Sequence, residues 1–362
     1  MQSRPPILVV EDDRVLRQVE VVLDPRTSPE RAAAFATYVA HDLPDWYAWR
    51  DALRAKLPHL HPAEVRLVDS QAALRQALPG ADGVVVESLE IGPEELALGS
   101  TLKVVQKFGR AGKNVDMAAC AARGVQVLDL RRRTNIALAE HTLMFMLGLA
   151  RRLPYVNHLV TPERLQAAGI TPLPYDTRHT ASANFGRITG LQMLHGRTLG
   201  LLGFGEIGQE TARLAHAFGM RVLYNKRHRL GAAEEAAMSV AYRDFDALFA
   251  ESDFLSVHVP SVPATRSLVD ARAIGLMPQG AFLINTSRAE IVDPAALLGG
   301  LQSGHLGGAA LDVLYDEPDT EDDPLLGFAN VLLTPHIAGA SRMNGLADMD
   351  DMLRNIQAAL VR

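Results

Sequence analysis

Thr198-Leu-Gly-Leu-Leu-Gly203-Phe-Gly205-Glu206-Ile207-Gly208 is an apolar, strand-like run that ends in a G-x-G-x-x-G. A helix-like run leaves it, with Ile207, Thr211, Leu214, Ala215 and Phe218 expected on one face. Glycines that close a strand and open a helix suit a pyrophosphate. The first makes the turn, the second lets the backbone approach the phosphates, and the third packs helix on strand. The helix start adds unpaired N–H groups and a positive dipole end. Glycines in an ordinary turn would look the same in isolation. Here the strand and the helix are both in place, so Gly203, Gly205, Glu206, Ile207 and Gly208 are read as a dinucleotide-binding turn.

Working outward, short apolar runs recur on both sides of this motif. Ile7–Val10, Val65–Val68, Gly83–Val86 and Lys103–Val105 are expected strands upstream. Val222–Tyr224, Phe254–Val259, Ala281–Asn285, Ala309–Val313 and Val331–Leu333 are expected downstream. Runs this short and this apolar suit parallel strands covered on both faces. The helical stretches between them argue for a doubly wound α/β architecture. Asp293-Pro294 reads as an N-cap with proline at the first helical position, opening a helix to Leu301 that Gly304 ends. An α/β unit before residue 130 and another after 198 imply two domains, which 362 residues can supply. Ile136–Arg152 is a helix that could link them, and 154–190 reads as a long connection or arm.

Composition narrows the class. With 48% hydrophobic and 22% charged residues the chain can bury a core and is not of the disordered type. A net charge of −6 gives no reason to expect a nucleic-acid partner. One cysteine, Cys120, excludes an intrachain disulfide and suits a reducing compartment; in the Ala-rich run Met117–Ala122 it reads as a small buried apolar residue. Met1-Gln-Ser-Arg-Pro-Pro lacks the layout of a signal peptide, and Leu143–Ala150 is too short to cross a bilayer. No membrane partner and no metal are expected, and the cytoplasm is the expected location. Ile7-Leu-Val-Val-Glu-Asp-Asp13 imitates the first strand of a phosphorelay receiver. That reading needs an acceptor aspartate after a third strand, where Asp45-Trp-Tyr-Ala-Trp-Arg-Asp51 is instead an amphipathic helical run, so Asp12 and Asp13 are read as solvated turn residues.

Four further segments accompany the glycine loop. Asn285-Thr286-Ser287-Arg288-Ala289-Glu290-Ile-Val-Asp293, Ala309-Ala-Leu-Asp312-Val-Leu-Tyr-Asp316-Glu317-Pro318 and Leu333-Thr-Pro-His336-Ile-Ala-Gly-Ala-Ser341 each follow or end a strand. Upstream stands Gln106-Lys107-Phe108-Gly109-Arg-Ala-Gly-Lys113-Asn114-Val-Asp116, then Ala122-Arg-Gly-Val-Gln-Val127. In this order the motifs resemble the D-isomer-specific 2-hydroxyacid dehydrogenases, over roughly residues 100 to 345. The resemblance implies a Rossmann-type doubly wound cofactor domain at about 153–335. It also implies a smaller, discontinuous flavodoxin-like α/β substrate domain at about 1–152 and 336–362. The expected activity is an NAD(P)-dependent interconversion of a small 2-oxo acid and its D-2-hydroxy acid. A homodimer through the cofactor domain is implied as well.

The residue chemistry agrees. Reducing a 2-oxo acid needs a cation for the carboxylate, an acid for the forming alkoxide and a partner that keeps that acid protonated. An arginine fork grips carboxylate oxygens, an imidazole titrates near neutrality, and a nearby carboxylate favours its protonated form. The resemblance assigns these roles to Arg288, His336 and Glu317. Each also has a plain alternative: a surface arginine, a histidine at a strand end, and one acid among Asp316, Asp319, Glu321, Asp322 and Asp323. The resemblance further implies that backbone N–H groups at Phe108 and Gly109 hold the substrate carboxylate. Lys107 either adds charge there or is solvated. Val259 and Pro260 are expected near the nicotinamide side, Thr286, Ser287 and His336 are expected among the cofactor contacts, and Asp312 on the carboxamide.

Departures bear on the substrate and the cofactor. Ala289 and Glu290 stand where the family often has two glycines, and Lys113 where it often has an aspartate. Glu206 puts an acid beside the pyrophosphate turn. No acid ends the second strand to bond the adenine ribose; Asn225, Lys226, Arg227, His228 and Arg229 stand there instead. This points to a 2′-phosphate and NADP, with NAD and a solvated basic loop as the alternative. A dinucleotide-binding corepressor of the same fold is the rival function. Formate oxidation on this fold is disfavoured, because that family carries Gln where Glu317 stands.

Overall fold

The computed structural model describes residues 4–110, 112, 114–173 and 175–361. Lys113 and the first three residues lie outside them. Among the described residues twelve strands fall in two parallel sheets. The first holds β1 (Ile7–Glu11), β2 (Glu64–Val68), β3 (Gly83–Val86), β4 (Val104–Lys107) and β5 (Gln126–Leu128), in the order β2-β1-β3-β4-β5. The second holds β6 (Thr198–Leu202), β7 (Arg221–Asn225), β8 (Val240–Tyr242), β9 (Phe254–Val257), β10 (Ala281–Asn285), β11 (Leu306–Leu311) and β12 (Val331–Leu333). Its order is β12-β11-β10-β9-β6-β7-β8. The second sheet is the doubly wound dinucleotide-binding arrangement and the first is flavodoxin-like, as expected.

Strand side chains alternate between two apolar layers in each sheet. Leu199, Leu201, Phe254, Phe282 and Ile284 enter one layer of the second sheet, and Leu202, Leu255, Val257 and Leu283 enter the other. In the first sheet Leu8, Val10 and Val85 face one way, and Val9, Val84 and Val86 the other. Covering both faces removes the polar alternation of a half-exposed strand, which is why these strands read as continuous apolar runs.

The chain divides into two compact units, Met1–Asn135 with Gly339–Arg362, and Ile136–Ala338. The boundaries differ from those read in the sequence at 152/153 and 335/336. The helix Arg133–Ala150 sends Leu143, Phe145, Met146, Leu149 and Ala150 into a layer of the second sheet, so it belongs there from Ile136 onward. The C-terminal helix Met343–Val361 returns to the first unit, packing Met349, Met352, Leu353 and Ile356 beside Leu8 and Val10.

Other expectations meet the structure in detail. Asp293 caps the helix Pro294–Gln302 by accepting from the Ala296 N–H at 2.8 Å, a contact worth about 1 kcal/mol. Cys120 is buried, and burial pushes its thiol pKa up. The segment after the linking helix holds two short helices, Leu153–Val156 and Pro162–Ala167, and no strand until Thr198 among its described residues. The inward face of the helix Glu206–Ala217 is rotated from the expected one. Gly208, Glu210, Thr211, Ala212 and Ala215 are buried, whereas Phe218 is exposed. Asp12 and Asp13 do more than meet solvent: Asp12 pairs with Arg17 and Asp13 accepts from the Val15 N–H. Among the described residues no helix is long and apolar enough to cross a membrane.

Candidate active site

The glycine turn leaves β6 and opens the helix Glu206–Ala217. Gly203 has φ +98°, and a Cβ there would stand 2.5 Å from the His258 carbonyl oxygen. Only glycine fits that turn without strain. A Cβ on Gly205 would meet nothing within 4 Å, so the N-cap of the helix is open to an approaching group. On Gly208 it would lie 2.9 Å from the Gly203 carbonyl, which sets how close helix and strand pack. This cradle fits a pyrophosphate. Glu206 and Ile207 are half-buried in the first helical turn.

Beyond β7 the basic run divides. Asn225 Nδ2 donates one of its two N–H groups to the Arg243 carbonyl at 2.8 Å, which anchors the side chain to the neighbouring strand end. Arg229 is paired with Glu235 at 2.8 Å, and its guanidinium lies 5.4 Å from the Tyr242 ring centroid. The buried Tyr224 hydroxyl donates to Glu235 and accepts from the Leu230 N–H. Burial and then the Glu235 carboxylate push Tyr224 up to about 12. Glu235 is held down at about 2 by its bonds from Arg229 and Tyr224. This network ties the far end of the loop to the sheet, while Lys226 and Arg227 follow directly on β7, half-buried and exposed respectively.

The loops after β10, β11 and β12 carry Arg288, Glu317 and His336 respectively. Buried Asn285 clamps the first loop: its Nδ2 donates to the Arg288 carbonyl at 2.9 Å and its Oδ1 accepts from the Ser287 N–H at 3.0 Å. Ser287 Oγ donates to the Val259 carbonyl at 2.5 Å, joining this loop to the segment that Gly203 packs against. Pro260 follows, with its carbonyl accepting from Thr265 Oγ1. The Thr286 side chain is buried, 3.4 Å from Thr142 Oγ1, and so faces the helix Arg133–Ala150. Arg288 is exposed, with Nη1 donating to the Ser287 carbonyl. Glu290 accepts from Ser261 Oγ at 2.6 Å, and its carbonyl accepts from the Ser267 N–H, so this departure fastens the loop rather than opening it.

Glu317 and His336 meet directly: Oε2 lies 2.8 Å from Nδ1. Glu317 Oε1 accepts from the Leu314 N–H at 3.1 Å. The bond to His336 holds the Glu317 carboxyl below the ordinary range, and Arg288 acts in the same direction through its charge. His336 has φ +55°, a left-handed conformation uncommon outside glycine. Asp312 holds the backbone that carries it. Its Oδ1 accepts from Thr334 Oγ1 at 2.6 Å and the Ile337 N–H at 2.8 Å, and its Oδ2 accepts from the Ala338 N–H at 2.8 Å. Asp312 is 1% exposed. His141 Nε2 completes the group 3.1 Å from Thr334 Oγ1, and burial lowers its pKa.

Arg288, Glu317 and His336 thus gather at one end of the second sheet, with the glycine turn and Val259 at the same carboxyl edge. The sequence reading missed Asn285, Thr334 and His141. A polar residue ending an otherwise apolar strand was the available signal for Asn285; nothing local marks His141. In the first unit Lys107 and Phe108 are buried and Gly109 has φ +131°. The Phe108 N–H donates to the Val86 carbonyl at 2.8 Å. It is spent on extending the sheet, so the Phe108 N–H does not hold a carboxylate as the resemblance implied.

Residues 143–338 match the family model described as D-isomer specific 2-hydroxyacid dehydrogenase, NAD binding domain. The chain belongs to the D-isomer-specific 2-hydroxyacid dehydrogenases. It is 33% identical over 290 residues to a glyoxylate reductase of Thermococcus litoralis, covering 79% of each chain. It is 30% identical over 312 residues to a D-3-phosphoglycerate dehydrogenase of Synechocystis, covering 84% of this chain and 52% of that protein. It therefore spans about half the length of the phosphoglycerate dehydrogenases that it matches. A solved protein of Thermus thermophilus shares the fold at a TM-score of 0.51 and 28% identity, covering 98% of this chain and 97% of that one.

Proposed function

We propose that this dehydrogenase-family chain reduces a small 2-oxo acid to the D-2-hydroxy acid, and runs the reverse reaction, by hydride transfer. The observation that carries the proposal is the 2.8 Å contact of His336 with Glu317 at the sheet edge that also bears Arg288. Gly203, Gly205 and Gly208 would hold the pyrophosphate of a nicotinamide dinucleotide, and Val259, Pro260, Thr286 and Ser287 its nicotinamide half. When bound, the reduced nicotinamide supplies the hydride for the keto carbon. On the second unit Arg288 is the cation for the carboxylate; on the first, the Gly109 N–H and Lys107 offer positive ends to an anion. His336 uses Nδ1 for Glu317, which leaves Nε2 to give its proton to the forming alkoxide. Glu317 stabilises the imidazolium before transfer and orients the ring. Asp312, read from the sequence as a carboxamide contact, is buried with both oxygens engaged by Thr334, Ile337 and Ala338, so its part is to hold the His336 loop in place.

The test is turnover. His336→Ala and Arg288→Ala should each lower kcat by roughly 10²–10⁴-fold while the cofactor still binds. Near-normal turnover of 2-oxo acids in either variant overturns the assignment.

The same reading favours NADP over NAD, on the strength of Lys226 and Arg227, and a cytoplasmic location. It also favours a homodimer. Met144, Leu153, Val160, Leu173, Phe185 and Met193 are exposed along the helix Arg133–Ala150 and the segment after it. A second copy is the occupant that would cover them, and sedimentation at twice the chain mass checks this.

A further inference from the structure

Open parallel sheets bind ligands outside the carboxyl ends of their strands, where neighbouring connections leave in opposite directions. In the first sheet that point lies between β1 and β3. Glu11 ends β1 and Glu87 directly follows β3. The Glu11 carboxylate is fully engaged: it accepts from the N–H groups of Glu87, Ser88 and Leu89 and from Ser88 Oγ. These bonds fix the turn from which the Glu87 side chain stands out. Glu87 Oε1 lies 3.2 Å from Arg132 Nη1, and the Arg132 guanidinium lies 4.2 Å from the Phe108 ring centroid. The Glu87 side chain is 39% exposed and that of Arg132 is 18% exposed. Arg132 Nε is buried with no acceptor among the described residues. Burial raises the Glu87 carboxyl above the ordinary range, against the pull of Arg132. One strand away, Val86 pairs in register with Lys107, next to the Phe108–Gly109 turn.

We infer that Glu87 and Arg132 form a subsite for the substituent on C3 of the substrate, and that it selects a hydroxyl. The inference rests on the dehydrogenase reading and on Gly109 holding the carboxylate. A hydroxyl donates to Glu87 and accepts from the Arg132 fork, so it completes a pair that is only partly satisfied. A methyl group does neither and removes water from both. A phosphate monoester brings a charge of about −1.5 to −2 against Glu87. It can bind Arg132 only by taking the guanidinium from Glu87, which leaves that carboxylate uncompensated. The substrate class is therefore a short 3-hydroxy-2-oxo acid rather than its phosphorylated or deoxy counterpart.

The experiment measures kcat/KM for hydroxypyruvate, pyruvate and 3-phosphohydroxypyruvate, with wild type, Glu87→Ala and Glu87→Gln. Wild type should favour hydroxypyruvate over each of the other two by roughly ten- to a hundredfold, the worth of one charge-assisted hydrogen bond. In Glu87→Ala the hydroxypyruvate-to-pyruvate ratio should fall by about tenfold or more. In Glu87→Gln the phosphorylated acid should gain relative to hydroxypyruvate. Each ratio is read within a single preparation, so a partly misfolded variant still reports it. Wild-type preference for the phosphorylated acid, or ratios that stay within about threefold of wild type in both variants, overturns the subsite while leaving the dehydrogenase reading intact. Absence of turnover with all three acids in wild type overturns both.

Discussion

Glu317 Oε2 stands 2.8 Å from His336 Nδ1, on a carboxylate whose other oxygen is held by the Leu314 N–H. The contact fixes the ring and supplies its negative partner. Because the bond lowers the Glu317 pKa, the carboxylate stays ionised through the neutral range and is lost only on strong acidification. Glu317→Gln keeps the shape and removes the charge. The ring then keeps a hydrogen-bond partner but loses its counter-charge, so kcat for reduction should fall while cofactor binding is retained. Steady-state kinetics and cofactor titration of both proteins check this; an unchanged kcat refutes it.

Gly203 and Gly205 should respond differently to the same substitution. Gly203→Ala forces a side chain onto φ +98° and into the His258 carbonyl. The backbone conformation alone costs about 1–3 kcal/mol, so the melting temperature should fall. A Cβ on Gly205 has open space in the protein. Gly205→Ala should melt normally and bind the dinucleotide more weakly, because the methyl group occupies the approach to the helix N-terminus. Calorimetry on each variant, with and without cofactor, separates the two effects.

NADPH should be preferred over NADH. With Arg229 paired to Glu235, the preference falls to Lys226 and Arg227. One charge-assisted bond to a 2′-phosphate is worth roughly 1.5–3 kcal/mol, or about ten- to a hundredfold. The ratio of kcat/KM for the two cofactors should drop in Arg227→Ala or Lys226→Ala. A wild-type preference for NADH would show that the basic loop is solvated.

Acid should weaken the first unit through Glu11. Burial raises this carboxyl, but the bonds from Ser88, Leu89 and Glu87 outweigh it and leave the folded pKa lowered. The stabilisation is therefore complete above the unfolded pKa and is lost as pH falls through the folded one. Glu11→Gln should cost about 1–3 kcal/mol at neutral pH and flatten the decline toward acid. Urea unfolding across the pH range provides the comparison.

Much of this molecule was legible in local sequence. A turn that only glycine can make, an aspartate before a helical proline, and strands buried on both faces are requirements met within a few neighbouring residues. That is why the glycine turn, the Asp293 cap and the strands Gly83–Val86, Thr198–Leu202, Ala281–Asn285 and Val331–Leu333 were read with their observed limits. β5 and β8 were not read: Gln126-Val-Leu and Val240-Ala-Tyr are three residues each and carry a polar or a small side chain, whereas the equally short edge strand Val331-Leu-Leu is apolar throughout. The order of motifs marked Arg288, Glu317 and His336, but it said nothing of what each polar group is already bonded to. Asp312 holds the Thr334–Ala338 backbone, Phe108 gives its N–H to Val86, Asn225 gives an amide N–H to Arg243, and Glu87 meets Arg132. Each partner lies 18 to 45 residues away in the chain. Sequence fixes which groups a residue offers; a hydrogen bond uses one of them only when folding brings its partner within about 3 Å, and that was decided by the packing of strands and helices alone.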